Sequence, residues 1–369
     1  MEYALSELFT LQMGKTPSRD NSSYWEKSEN SWISIADLTN SGKYISNTKE
    51  TLSDSAVAES GIKKIPANTV IMSFKLSLGK VAITEKEMYS NEAIMAFIDK
   101  GVEKISPEYL YYLLRAKDWS NGTNKAVMGA TLNKATLSTI KIQLHEYDNQ
   151  LEIVNMLNRV SSSIDFRKQQ LTKLDELVKA RFVEMFGTYP DNPFGWNTGK
   201  IQDVVSNVRY GSSRPAVEGG KYPYLRMNNI TYAGELDLTD TKRIDVPDSE
   251  LDKCTVQRGD VLFNRTNSKE LVGKTCVYNR DDMMVLAGFV IRVRVNERIL
   301  PEFLVAFLNT DFSKQMLLGM CKTAIGQANI NAKEMQNIGL YIPPIALQEQ
   351  FVDLKKQTDK SKVEVQKAL

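Results

Sequence analysis

The chain has 369 residues, of which 42% are hydrophobic and 25% charged, as in an ordinary globular protein of two or three domains. Its formal net charge is only +2, so a disordered basic tail is excluded while a nucleic-acid partner is not. There is no apolar run long enough for a membrane span and no signal-peptide start at Met1, and the three cysteines predict free thiols; we therefore expect a cytoplasmic protein with no membrane partner.

The sequence repeats itself in a constant order. Residues 105–110 return as 299–304, a shift of 194, and residues 67–72 return as 258–263, a shift of 191. Further matches join 32–35 to 224–227, Gly14 to Gly211, Gly42 to Gly234 and Gln150 to Gln350. A shift that drifts by a few residues is expected when insertions fall in loops. The chain therefore predicts two copies of one unit, related by approximate two-fold symmetry.

Each copy is predicted to begin with short strands and turns. Strands are expected at 69–74 and 94–98 in the first copy, and at 261–263 and 289–295 in the second. A helix follows in each copy, because Pro107 and Pro301 precede apolar residues at helical spacing and proline favours the first turn.

Each copy closes with a long amphipathic helix. From Asp148 to about Gly187 the sequence has no proline and no interior glycine, which predicts a helix of about 58 Å. Residues 345–369 repeat the pattern over about 36 Å. We predict an antiparallel pair of these helices; the alternative is two unrelated helices that each pack on their own domain. The apolar positions assigned to the helix interface are Leu157, Ile164, Leu171, Leu174, Val178, Phe351 and Leu354.

Catalytic signatures are incomplete throughout the sequence. Gly273-Lys274-Thr275 resembles the end of a phosphate-binding loop, but Ser268 stands where that motif needs glycine. Residues 191–194, Asp-Asn-Pro-Phe, miss the second proline of an adenine-methyltransferase motif and predict a turn. His145 is the only histidine, so one chain cannot supply a multi-histidine metal site. An irregular cluster of acidic residues, as in a nuclease, remains an alternative.

Four polar loops per copy carry glycine, hydroxyl, amide and basic side chains at matched positions. They are residues 14–19, 34–37, 73–77 and 129–134, matched by 209–214, 226–229, 264–269 and 326–331. These side-chain types recognise base edges and phosphates, although they also form ordinary turns. We expect DNA contacts from Lys15, Arg19, Ser73, Lys75, Ser77, Arg209, Arg214, Arg226, Asn228, Asn264, Arg265, Thr266, Asn267 and Lys269.

Over essentially its full length the chain resembles the specificity subunit of type I DNA restriction–modification systems. The resemblance is carried by the duplicated unit and by the segment KLDELVKARFVEMFG at 173–187, with Gly195-Trp196 after it. Residues 259–265 (GDVLFNR), and 342–344 (IPP) followed by LQEQ at 347–350, are also typical of that family.

The resemblance implies an α+β fold with target-recognition domains at 1–146 and 188–344 and spacer helices at 147–187 and 345–369. Each recognition domain would read one half of a bipartite site in double-stranded DNA through the major groove, and the helices would set the gap. The helices would also dock two methyltransferase (modification) subunits, and two restriction subunits would join where a system has them.

The resemblance also implies that this chain is non-catalytic and binds no cofactor. S-adenosylmethionine, ATP and magnesium would belong to the partner subunits, in the cytoplasm of a prokaryotic cell. The C-terminal helix departs from the family pattern, because it is about 15 residues shorter than its partner and leaves part of the central helix unpaired. Two other functions stay open from the residues alone: an enzyme with fused recognition domains, and a coiled-coil adaptor that binds only protein.

Overall fold

The computed structural model describes residues 1–75, 77–119, 124–126, 129–324 and 327–369, with side chains outside 120–131 and 322–327. The chain divides into two compact units, Met1–Ser163 and Ile164–Leu369. Both units mix helices and β-sheets, which confirms the α+β class. In the described residues no helix is both long and apolar enough to cross a membrane. The three cysteines are free thiols.

The first unit is built on a five-stranded sheet in the order β2-β9-β6-β7-β4, with smaller sheets β5-β3-β8, β1-β12 and β10-β11. Its strands are β1 (Glu2–Ala4), β2 (Phe9–Met13), β3 (Asn30–Ile33), β4 (Tyr44–Ile45), β5 (Glu50–Leu52), β6 (Val70–Ser73), β7 (Val81–Thr84), β8 (Tyr89–Ser90), β9 (Ile94–Asp99), β10 (Asn124–Ala126), β11 (Gly129–Thr131) and β12 (Lys141–Gln143). Its helices are α1 (Leu5–Leu8), α2 (Ile35–Asn40), α3 (Asp54–Ser60), α4 (Pro107–Ala116) and α5 (Lys134–Thr139), with a 3-10 turn at Ser22–Trp25.

The second unit is built on a four-stranded sheet in the order β14-β22-β18-β20, with smaller sheets β16-β15-β21-β17, β19-β24-β23 and β13-β25. Its strands are β13 (Asn197–Lys200), β14 (Val205–Tyr210), β15 (Tyr222–Leu225), β16 (Lys242–Ile244), β17 (Thr255–Val256), β18 (Val261–Asn264), β19 (Thr266–Asn267), β20 (Thr275–Val277), β21 (Met284–Leu286), β22 (Val290–Val295), β23 (Lys322–Ala324), β24 (Gln327–Asn329) and β25 (Gly339–Ile342).

The remaining helices include one very long helix. They are α6 (Tyr147–Phe186), which crosses the boundary between the units, α7 (Asp248–Cys254), α8 (Pro301–Leu308), α9 (Asp311–Met320), α10 (Ala332–Gln336) and α11 (Ile345–Lys367), with 3-10 turns at Ile201–Val204 and Met227–Asn229. The predicted helices are confirmed: Pro107 and Pro301 each occupy the first turn of theirs.

The predicted repeat is confirmed in strand order and in register. The order β2-β9-β6-β7 returns as β14-β22-β18-β20. Val70 lies opposite Phe97 across β6 and β9, and Val261 lies opposite Val293 across β18 and β22. Each main sheet packs an apolar face against a helix, α4 in the first unit and α8 in the second. The two copies therefore build the same frame from different side chains.

One sequence match is wrong. Gln150, which is 1% exposed, corresponds to the equally buried Gln348 rather than to Gln350, which lies on the exposed face of α11. The two buried amides make the same set of hydrogen bonds in their own units. The true shift at this point is 198 residues, because Gln348 lies two residues before the one that the sequence suggested.

Within the second unit, α11 runs antiparallel to the second half of α6. Phe351 packs on Phe182 with ring centres 5.3 Å apart, and further along Lys362 forms an ion pair with Asp175. Of the seven apolar positions predicted for the helix interface, Phe351 is buried, Leu171, Leu174, Val178 and Leu354 are half-buried, and Leu157 and Ile164 are exposed. The first turns of α6 instead pack on the first unit, where Val154 joins the core.

Candidate nucleic-acid interface

In each unit one glycine, Gly14 or Gly211, lies where the first loop leaves the main sheet, and the two positions correspond. A Cβ atom on Gly14 would lie 2.2 Å from the Ser90 carbonyl oxygen, and one on Gly211 would lie 2.2 Å from that of Leu286. The residue after each glycine donates its N–H to that same carbonyl, at 2.8 Å in the first unit and 2.6 Å in the second. Only glycine fits so close an approach, so both first loops start from one fixed geometry.

In the second unit three of the four predicted loops meet. The guanidinium carbon of Arg265, just after β18, lies 5.0 Å from the centre of the Tyr210 ring at the end of β14. Arg265 also donates from Nη2 to Asn329 Oδ1 at 3.3 Å. Asn329 in turn donates from Nδ2 to Thr266 Oγ1 at 3.0 Å. These contacts make one polar cluster, formed by Tyr210, Arg265, Thr266 and Asn329, from loops that are far apart in sequence.

A buried lysine ties the second loop of this unit to the start of the third, because its carbonyl accepts the Asn264 N–H at 2.8 Å while its side chain reaches the second loop. Lys274, 7% exposed, donates from Nζ to the Met227 carbonyl oxygen at 2.9 Å, and its burial lowers its pKa. Thr275 donates its hydroxyl to the Gly273 carbonyl at 3.0 Å. The residues that resembled a phosphate-binding loop are thus part of the loop frame, with the lysine turned into the protein.

In the first unit the predicted cation Arg19 is held between an aromatic ring and a carboxylate. Its guanidinium carbon lies 3.5 Å from the Trp25 ring centre, and it donates to both Glu50 oxygens, at 2.6 and 3.0 Å. This hydrogen-bonded pair raises the pKa of Arg19 and lowers that of Glu50. Beside it, Trp32 Nε1 donates to the Lys15 carbonyl at 3.0 Å, which fixes the backbone of the first loop.

Two arginines of the second unit are also paired with carboxylates. Arg214 donates to both Glu250 oxygens, at 2.7 and 3.2 Å, and this pairing lowers the pKa of Glu250. Arg226 donates to Asp240 Oδ2 at 2.9 Å. By contrast, Arg209, Arg265, Lys269 and Lys75 form no ion pair with a carboxylate within the part of the chain that the structure describes.

The predicted contact residues differ in how far they reach solvent. Ser73 and Asn264 are fully buried and Thr266 is 6% exposed. Ser73 donates its hydroxyl to the Ser77 carbonyl and accepts the Lys80 N–H at 3.1 Å, so it shapes the third loop from inside. Four of the predicted residues are half-buried: Lys75, Arg226, Arg265 and Asn267. The exposed ones are Lys15, Arg19, Ser77, Arg209, Arg214, Asn228 and Lys269.

Sequence reasoning missed the residues that orient the arginines. Tyr210 lies directly after the predicted Arg209, and an aromatic residue beside a basic one at a strand end was an available signal. Asn329 lies within the fourth loop, residues 326–331, for which no contact residue was selected. Nothing in the sequence pointed to Trp25.

Residues 191–194 form the turn that the sequence predicts. Asn192, with φ of +44°, accepts the Trp196 N–H at 2.9 Å and donates to the Trp196 carbonyl at 2.8 Å. Among the residues with described positions, no group of three or more histidine, cysteine, aspartate or glutamate side chains is placed to hold a metal ion.

Comparison with known proteins identifies relatives along the whole chain. Residues 1–176 and 193–369 match the family described as "Type I restriction modification DNA specificity domain". The specificity subunit of the type I restriction enzyme EcoKI from Escherichia coli K12 is 21% identical, over 94% of this chain and 79% of that protein. That of MjaIX from Methanocaldococcus jannaschii is 26% identical, over 59% of this chain and 55% of that protein.

Solved structures share the fold. The S subunit of a type I restriction–modification system from M. genitalium aligns with a TM-score of 0.50 at 13% identity, over 100% of this chain and 91% of that one. A chain from a study of complex assembly and conformational transition in a type I system aligns with a TM-score of 0.58 at 18% identity, over 100% and 95%.

Proposed function

Because the chain belongs to the family of type I restriction–modification DNA specificity subunits, we propose that it reads a bipartite, asymmetric DNA site, one half with each loop cluster. It is a DNA-recognition subunit, a non-catalytic component of such a system. We assign the two readers to residues 1–146 and 188–344, and the spacer helices to 147–187 and 345–369.

The observation that carries this proposal is a pair of matched backbone positions with different side chains. The Phe74 N–H donates to the Ala93 carbonyl and the Arg265 N–H donates to the Phe289 carbonyl, each at 3.0 Å. Phe74 is buried, whereas Arg265 is half-buried and stacked on Tyr210. One frame that presents different side chains is what two readers of different half-sites require.

In the second unit, Arg265 and Arg226 are the candidates for base recognition. Arginine can donate in a fork to guanine O6 and N7, and Tyr210 and Asn329 hold the Arg265 guanidinium in one orientation. The Nε atoms of Arg226 and Arg265 are buried with no hydrogen-bond partner in the described part of the chain, so both side chains would have to move before a DNA group could satisfy these donors. Arg209, Asn228, Asn267 and Lys269 would contact phosphates or base edges at the rim.

In the first unit, Lys15, Arg19, Lys75 and Ser77 would contact the other half-site. Arg19 and Arg214 would exchange their carboxylate partners for DNA oxygens, or share them, when the complex forms. Ser73, Asn264 and Thr266 are too buried to reach a groove, so we propose that they shape the loops.

The helices would set the gap and dock partner subunits. Leu157 and Ile164 are exposed, so this part of α6 presents apolar side chains that a modification subunit would cover. Two modification subunits would supply S-adenosylmethionine and the methylation chemistry. Two restriction subunits would supply ATP- and magnesium-dependent cleavage where the system has them.

The test is the Arg265→Lys variant in the complex with its modification subunits. Lysine keeps the charge but loses the fork, so preference at one base pair of the second half-site should fall by about 1–3 kcal/mol. Arg298→Lys is the matched control, because Arg298 bonds the Asp203 carbonyl outside the loop cluster. Unchanged preference in Arg265→Lys would contradict the assigned role, and loss of all preference in the control would point to misfolding. A native complex that binds DNA without any sequence preference would favour a protein-only adaptor.

A further inference from the structure

Gln150, in the first turn of α6, is a buried side chain that makes three hydrogen bonds. Its Oε1 accepts the Ser106 N–H at 3.0 Å, directly before α4. Its Nε2 donates to the carbonyls of Lys104 at 3.2 Å and His145 at 3.0 Å. One planar amide thus joins the start of the long helix to the loop that begins α4.

Gln348, in the first turn of α11, repeats this arrangement in the second unit. Its Oε1 accepts the Leu300 N–H at 2.8 Å, directly before α8. Its Nε2 donates to the carbonyls of Arg298 at 3.1 Å and Pro343 at 2.8 Å. Each of the three bonds has its counterpart in the first unit, although the sequences around them differ.

These contacts connect each long helix to its main sheet. The helices α4 and α8 pack on β7 and β20 respectively, so the glutamine bonds connect a helix that lies on the sheet to the long helix that follows it in the chain. Three bonds to one planar group fix direction as well as position. A buried amide is costly unless all its groups are paired, so small changes in the helix angle are opposed.

The angle matters because a long helix amplifies it. From Gln150 to its end α6 extends about 54 Å, so a tilt of about 5° moves its far end by about 5 Å. One base-pair step is about 3.4 Å. This displacement is at right angles to the helix axis, so a change too small to disturb a domain core would move one reader sideways, off the groove position that the natural gap presents.

We propose that Gln150 and Gln348 are positioning residues that fix the direction in which each long helix runs from its main sheet, and that they thereby set how strictly the complex measures the gap between half-sites. This inference rests on the proposed function. Under the proposed function the length of the helices sets the gap; the two buried amides would set how strictly that gap is kept.

The first measurement is hydrogen exchange of the full chain. Gln150→Met and Gln348→Met keep the side-chain size but remove all three bonds. Exchange of the Ser106 or Leu300 amide should then accelerate by about tenfold or more. Gln350→Met is the matched control, because Gln350 lies exposed two residues further along the same helix. Unchanged protection of these amides in the Met variants would overturn the proposed clamp.

The second measurement is methylation by the complex with its modification subunits, on the natural site and on sites with the gap one base pair longer or shorter. The Met variants should lose about tenfold of the native preference for the natural gap, since displacements of this size have large effects on rate. Preference for the bases within each half-site should persist.

A purely structural role gives a different result. In that case the Met variants would melt earlier yet keep the native gap preference, which would overturn the inference. Ser106→Pro is a second variant if Gln150→Met folds poorly, because Ser106 has φ of −71°, which proline adopts, and the N–H that bonds Gln150 is removed. The change also removes the hydroxyl that accepts the Tyr109 N–H, so Ser106→Ala, which removes only that hydroxyl, is its control. If the native complex itself shows no gap preference, the proposed function fails, while hydrogen exchange still decides whether the clamp exists.

Discussion

Lys314 is a lysine whose surroundings oppose its charge. Its ammonium group donates to the Gly273 carbonyl at 2.9 Å and lies 5.6 Å from the centre of the Tyr232 ring. Burial, together with the nearby Lys179 and Lys274, lowers its pKa to about 8. Folding therefore carries a cost at neutral pH, because the charged form is less favourable in the folded chain than in water.

This cost has a definite pH dependence. In the unfolded chain lysine has a pKa of about 10.4, so between about pH 8 and pH 10 the unfolded state binds more protons and the Lys314 contribution to stability rises with pH. Below pH 8 both states are protonated and the cost is complete. Lys314→Met should raise the free energy of unfolding at pH 7 and flatten this rise, as measured by urea denaturation at pH 7 and 9.5.

Lys356→Met is the control, because the Lys356 side chain is 64% exposed. It should leave the pH dependence as in the native chain. If the free energy of unfolding of Lys314→Met rose with pH as steeply as that of the native chain, Lys314 would not be the source of the pH dependence.

For single residues, the sequence predicted which positions lie in the loops but not which side chains they pair with. Arg19 and Arg214 were selected from loop chemistry, yet each is paired with a glutamate 31 or 36 residues away. Ser73 and Asn264 were selected for the same reason and are buried. Burial and long-range pairing depend on how strands bring distant segments together, and one sequence does not specify this.

Among the elements, the junction of α6, α8 and α11 carries much of the core of the second unit. Phe182, Phe186, Phe303 and Phe351 are all fully buried, with ring centres about 5 to 6 Å apart. Such aromatic groups bury large areas and interact edge to face. We therefore expect the helix pair and the second unit to unfold together.

Phe182→Ala should lower the free energy of unfolding of the second unit by about 3–5 kcal/mol, because it leaves a cavity in a packed core. Phe166→Ala, on the same helix, is the matched control: Phe166 is 58% exposed and its loss should change stability by less than about 0.5 kcal/mol. Equal effects of the two changes in denaturant titrations would show that α6 is not anchored through Phe182.

The exposed stretch of α6 allows a test of the helix as a spacer. Seven residues inserted between Ser162 and Ser163 lengthen the helix by about 10.5 Å and nearly preserve its faces. We expect the recognised gap to lengthen by about three base pairs while both half-sites stay the same, as read from the methylated motif. The same insertion after Gly101, in an exposed turn, should leave the gap unchanged. An unchanged gap after the helix insertion would argue against the spacer role.

Periodicity predicted the elements better than their fine register. Strands β6, β9, β18 and β22 and helices α6 and α11 all form where the apolar pattern placed them. The match of Gln150 to Gln350 was wrong, because Gln348 and Gln350 are two residues apart on a helix and face different sides. Burial and hydrogen bonds in the folded chain distinguish Gln348 from Gln350, and neither can be read from the apolar pattern.

Across the whole molecule the same strand order and register occur twice with different side chains, in the core as well as in the loops. Ala96 lies opposite Ile71 in the first unit, and at the matched position Arg292 lies opposite Leu262 in the second. Arg292 is 3% exposed and donates to the Thr255 carbonyl and to Asn207. The matched register with divergent residues supports two readers that have diverged to different half-sites.

The measurement that tests the central claim most directly is genome-wide sequencing of methylated adenine in a clean host that expresses this chain with its modification subunit. We expect a single bipartite motif with a fixed gap, absent when either component is omitted. Methylation at one continuous, unsplit site would contradict the two-reader architecture, and methylation by this chain alone would contradict its non-catalytic role.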